Sequence, residues 1–271
     1  MTHMRLPTYY LSHGGGPWPW MQAQNGSTFD LLEASLVQVR REVGKPRAVL
    51  MVSGHWEFDH FVTSSAVRPP MVFDYHGYPE EMYHIRYDAP GLPALADQVC
   101  AMLQEGGIAA GTDAVRGLDH GTFSLMKPMY PDADMPVVQL SLQADYDPAA
   151  HLLAGRLLAP LRDEGVLIIG SGSSYHNLAK WARPAASDSR LFDDWLDETS
   201  SKVTPEERAK RLLRWSDAPG ARASHPQEDH LMPLHVVVGA AGEDVGTRIY
   251  HEDDFMGVAV SSFRFGMPVV G

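Results

Sequence analysis

Apolar residues gather in short, nearly unbroken runs at positions 7–11, 48–53, 136–142 and 166–170, three of them followed by Gly- or Ser-containing turns and 136–142 by the polar QADYD. Runs of this length with such boundaries read as strands covered on both faces. Between them the period lengthens to that of a helix, with Leu32, Leu36, Val39 and Val43 on one face. Asp147 and Pro148 supply an N-cap and first-turn signal for a helix through residue 161, and Thr204, Pro205 and Glu207 open another. If the apolar run 231–238 is also helical, His230 stands near its start with Leu234 one turn on, facing the core. The alternation predicts an α/β protein with a central, mostly parallel sheet flanked by helices and a ligand crevice at the strand C-terminal ends.

A chain of 271 residues that is 44% hydrophobic can bury one large core, so residues 1–271 are expected to form a single domain. The net charge of -12, without a local Lys/Arg cluster, repels a phosphate backbone and argues against nucleic acid as a partner. No basic start precedes an apolar stretch, and no run of about 18 apolar residues occurs, so a cytoplasmic protein with no membrane attachment is expected. The one cysteine, Cys100, shares an apolar helix side with Leu95, Val99, Met102 and Leu103 and is expected in the core. The polar stretch 188–227 reads as a solvated pair of helices.

The chemistry lies in the 13 histidines. YYLSHGGGPW, VLMVSGHWE and VLIIGSGSSYHN place His13, His55 and His176 just past strand-like runs, where side chains distant in sequence can converge. GLDHGTF adds His120, and SHPQEDHLMPLHVVVGAAG adds His225, His230 and His235. Any one buried histidine is more often structural than functional. Several at strand ends fit a metal site, in which about three imidazoles leave positions open for substrate. There is no HExxH or CxxC pattern, so spacing alone does not select the ligands. Trp18, Trp20 and Trp56 flank these motifs as core or as a wall against water, and Tyr75, His76, Tyr78, Tyr83, His84 and Arg86 form an aromatic, polar segment that could line a pocket.

LSHGGGP, SGHWE, YHGYPEEMYHIRYDAPG, GLDHGTF, GSGSSYHNL and HPQEDHLMPLHVVVGA, in this order, resemble the 4,5-DOPA extradiol dioxygenase family. That family belongs to the class III ring-cleaving dioxygenases, the superfamily of protocatechuate 4,5-dioxygenase. The resemblance implies metal ligation by His13, His55 and His230, with Glu228 and Asp229 as less favoured substitutes. It implies Fe(II) in the active enzyme, and a site of three neutral ligands also admits Zn(II). His176 corresponds to the acid/base histidine and His120 to a second pocket histidine, which Asp119 would orient. The implied partners are a small, DOPA-like aromatic diol and O2, and the product is a muconic semialdehyde type of compound. His76, Tyr78 and Arg86 are the candidates for substrate contact, with His76 and Arg86 suited to a carboxylate. Homo-oligomerisation stays open. Two rivals are a zinc-dependent hydrolase, since a three-histidine site can also activate water, and a metal-binding relative without activity.

Overall fold

The computed structural model describes residues 5–181 and 186–269. In chain order the elements are β1 (Thr8–Ser12), α1 (Gln22–Asn25), α2 (Asp30–Val43), β2 (Ala48–Phe58), β3 (Phe61–Ser64), α3 (Pro93–Glu105), β4 (Ala110–Asp113), α4 (His120–Met129), β5 (Val137–Gln143), α5 (Pro148–Leu158), β6 (Val166–Gly172), α6 (Ala186–Ser201), α7 (Pro205–Leu213), α8 (Ala221–Ser224), α9 (Met232–Ala241), β7 (Gly246–Phe255) and β8 (Val258–Phe265). The strands form one sheet in the order β4-β3-β5-β2-β6-β1-β8-β7. Its centre, β5-β2-β6-β1, is parallel, and antiparallel pairing enters where β3 meets β5 and where β8 meets β1 and β7.

The four apolar runs become these central strands because their alternate residues feed two cores. Tyr10, Leu50, Val52 and Ile168 enter one, with Leu95 and Val99 of α3, Leu152 of α5, Phe192 of α6 and Leu234 of α9. Tyr9, Leu11, Met51 and Ile169 enter the other, with Leu32, Leu36 and Val39 of α2 and Phe123 of α4. A strand covered on both faces has no polar side to show, which is why the runs are unbroken. α9 lies between β6, β1 and α5, and every residue in it is buried. The expected mostly parallel α/β architecture is the one observed.

Three expectations need correction. The helix opened by Asp147, whose side chain accepts from the Ala149 N–H, ends at Leu158 and continues as a 3-10 turn over Ala159–Glu164. Pro160 has no N–H to donate to the α-helical ladder. Cys100 is half-buried rather than core. In 188–227 the helices form, and Thr204 caps α7 by accepting from Glu207 N–H, but the stretch is not uniformly solvated. Asp193 and Asp197 are buried against Arg248, and buried Arg208 donates to the carbonyls of Gly242 and Asp244. No helix among the described residues is long and apolar enough to cross a membrane.

Candidate metal centre

The C-terminal ends of β1, β6 and β2 lie side by side, with Ser12 opposite Gly172 and Ser53 opposite Ser171. His13 leaves β1 directly, anchored by its N–H to Gly172 O at 3.1 Å. His55 lies within β2, which runs on to Phe58 through a register shift between Val52 and Glu57. Such an irregularity re-aims a side chain without ending the strand. His230 stands just before α9, and its carbonyl accepts from Tyr10 Oη at 2.7 Å. A Cβ at position 172 would lie 2.1 Å from that carbonyl, so the approach of this loop to β6 requires Gly172.

Three imidazoles from β1, β2 and the start of α9 meet here. His55 Nε2 lies 3.1 Å from His13 Nε2 and 3.1 Å from His230 Nε2. Burial strips water from His13 and, with the neighbouring His230, His120 and His176, holds its pKa well below the usual histidine range. Burial and then His120 and His230 do the same to His55. His230 is pushed down to about 4 by burial and His176, against the opposing pull of Asp229. The rings are therefore neutral at pH 7. Metal–nitrogen bonds of about 2.0–2.1 Å put neighbouring ligand nitrogens roughly 3.0–3.4 Å apart, depending on coordination angle. The observed spacing and the neutral donors fit a divalent cation.

Two carboxylates sit behind this set. Asp74 Oδ1 lies 2.8 Å from His120 Nδ1 and accepts from the His120 N–H at 3.0 Å, while Oδ2 lies 3.4 Å from His55 Nδ1. Asp229 is its counterpart, with Oδ2 3.0 Å from His230 Nδ1 and Oδ1 3.6 Å from His176 Nδ1. Burial alone would raise both acids, but the His120 hydrogen bond lowers Asp74, and the His176 and His230 rings beside Asp229 hold it far below the carboxylate range. Each anion thus spans one histidine of the close triplet and one outside it. A carboxylate at Nδ1 fixes the tautomer that leaves Nε2 with its lone pair, as a metal ligand requires.

His176 stacks on His230 with centroids 3.3 Å apart, and His120 lies 4.0 Å from His55. All five rings line one cavity of about 720 Å³, together with His76 and Tyr78. Arg86 does not line it. Its side chain is 80% exposed and pairs with Asp88, and exposed His84 pairs with Glu80. Glu228 is engaged with Arg222 at 2.6 Å. Asp119 does not touch the His120 ring. It caps α4 through Thr122 N–H and accepts from Ser53, Arg116 and Gln139, so it sets where α4 begins. Trp18 lines the cavity and donates to His13 O at 2.7 Å, whereas Trp56 lies under Arg116 and Trp20 packs on Phe123. His225 and His235 are structural, with ring nitrogens at backbone carbonyls.

Asp74 escaped the sequence reading because a lone acidic residue between Phe73 and Tyr75 has no motif spacing to its partners, which lie 46 and 19 positions away in the chain. Only its position directly before the YHGYP segment marks it.

A cluster of imidazoles and carboxylates able to hold a metal, in a cavity at the carboxyl ends of a parallel sheet, defines the candidate active site of an α/β enzyme. The profile described as the catalytic LigB subunit of aromatic ring-opening dioxygenase matches residues 7–265, and the chain belongs to that family of ring-opening enzymes. It is 36% identical over 266 residues to a 4,5-DOPA dioxygenase extradiol of Beta vulgaris, covering 95% of this chain and 96% of the relative. It is 32% identical to the protein of the same name in Escherichia coli K12, over 89% and 87% of the two chains. A crystal structure of an uncharacterized Escherichia coli K12 protein superposes with a TM-score of 0.71 at 27% identity, covering 97% of this chain and all 100% of that one.

Proposed function

We propose that the chain, acting as one catalytic unit, is an Fe(II)-dependent extradiol dioxygenase that opens a catechol ring with O2 to a muconic semialdehyde type of product. The observation that carries this reading is the convergence of three neutral imidazole Nε2 atoms in a cavity that also holds two further histidines. His13, His55 and His230 would hold the metal. Iron bound there supplies the electronic link between catechol and O2, and its charge lowers the pKa of the catechol hydroxyls.

The remaining work falls to the protein's own groups. With Nδ1 turned to Asp229, His176 has Nε2 free to take a phenolic proton and return it to the leaving oxygen later in the cycle. His120, held at Nδ1 by Asp74, presents its own Nε2 lone pair as a second proton acceptor. Asp74 and Asp229 balance the charge of a divalent cation. His76 and Tyr78, which line the cavity, would contact the substrate, and the exposed Arg86, paired with Asp88, would not.

Metal-free protein reloaded with Fe(II) or Zn(II) tests this. Iron-loaded protein in air should consume O2 and form a yellow ring-opened product, with no turnover anaerobically or with zinc. Zinc-dependent ester or amide hydrolysis without catechol turnover on iron would establish the hydrolase instead. Alanine at His13, His55 or His230 should sharply lower metal content in protein loaded identically. Full stoichiometry in any one variant removes that residue from the ligand set.

A further inference from the structure

The cavity changes character away from the histidines. Its wall there is built by Trp18, Met21, Phe29, Leu32, Phe255 and Val260. Trp18 and Phe29 stack at 4.9 Å, Phe29 meets Phe255 edge-on at 5.5 Å, and Trp181 meets Phe255 at 6.4 Å. An aromatic series therefore runs from Trp18, bonded to the His13 carbonyl, to the turn joining β7 and β8. At the cavity rim two large apolar side chains stand in water, Leu178 at 70% and Met256 at 50% exposure. Exposed apolar groups beside a concave apolar wall mark a binding surface.

We propose that this wall receives the ring substituent, and that the enzyme selects catechols carrying an uncharged, apolar aryl or alkyl group over those carrying an amino-acid side chain. The proposal rests on the ring-cleavage reading and names its substrate class. An amino-acid carboxylate placed against Phe29 and Phe255 would lose water and meet no cation, since the polar lining residues that precede Phe29, Gln24, Asn25 and Thr28, are neutral, and that is costly for any ion. Among the described residues lining the cavity there is no Lys or Arg, and the acids present, Asp74 and Asp229, repel a second carboxylate. A phenyl or butyl group gains burial on the same wall.

The test compares kcat/KM of the iron-loaded full chain for 4-phenylcatechol, 4-butylcatechol and L-DOPA. The aryl and alkyl catechols should exceed L-DOPA by about tenfold or more, the discrimination a well-fitted apolar group supplies. Phe255→Ala should collapse that ratio. Met256→Arg, at a turn position 50% exposed, should shift it toward L-DOPA. Equal or better turnover of L-DOPA by the unaltered enzyme would overturn the proposal while leaving ring cleavage standing. If no catechol is cleaved with iron bound, the ring-cleavage reading itself falls, and selection is read from binding of the uncleavable 4-phenylphenol and tyrosine by tryptophan fluorescence. Binding of 4-phenylphenol about tenfold tighter, weakened in Phe255→Ala, supports the apolar wall; equal binding rejects it.

Discussion

At the scale of single residues, the site works because two carboxylates, Asp74 and Asp229, face the Nδ1 atoms of four of its five histidines. Asp74 touches both His55 and His120, so Asp74→Asn removes the charge that favours the required tautomer at both with almost no change of shape. Loss of such a supporting carboxylate typically costs 10-fold to 100-fold in metal affinity or activity, and a metal titration should show a drop of about that size. Unchanged affinity and rate would reduce Asp74 to a loop-holding residue. His176 presents a contrasting case, because it lies outside the close triplet and stacks on His230. His176→Gln should retain iron, measured by metal analysis, while kcat falls by about 100-fold to 10,000-fold, the usual range for general acid/base groups. A normal kcat would take it out of the proton path, and loss of iron would make it a ligand.

At the scale of elements, α9 decides whether His230 reaches the metal set. The helix packs against α5 through glycines, and a Cβ at Gly155 would lie 2.0 Å from Val236 O and 2.8 Å from Ala240 N. Gly155→Ala must therefore push α9 outward, at a cost of about 1–3 kcal/mol for overpacking a tight interface. His230 sits two residues before α9 begins, so the displacement should also weaken metal binding. Urea melts and metal titration of the same variant check both parts. Wild-type stability would show that the backbones can separate without loss.

At the scale of the whole molecule, the buried histidines tie stability to pH. His225 is pushed down to about 3 and His235 to about 4, chiefly by burial. In the unfolded chain both protonate near pH 6.5. Between the unfolded and folded values the unfolded state holds more protons, so stability is full above about pH 6.5 and falls as pH drops toward 4. His235→Gln should shrink the loss of unfolding free energy between pH 7 and pH 5 by roughly 2 kcal/mol relative to the unaltered protein, in urea melts of the metal-free forms. The same loss in both proteins would mean that His235 does not couple folding to protons.

What the chain determines alone is everything carried by local pattern. The unbroken apolar runs specify central strands, the Leu32-to-Val43 period specifies α2, Asp147 and Thr204 specify helix starts, and the ordered motifs around His13, His55, His120, His176 and His230 specify the family. Tertiary structure decided what depends on approach across the fold. β4 has only four residues and β7 is an edge strand rich in polar positions, so neither carries a strong pattern. Asp74 becomes a partner of His55 and His120 only when its loop crosses the sheet end, and Phe29 and Phe255 share a wall although they come from α2's N-cap and the β7 turn. A side chain's period shows which face it covers; its neighbours there come from elements that the same stretch of sequence does not encode.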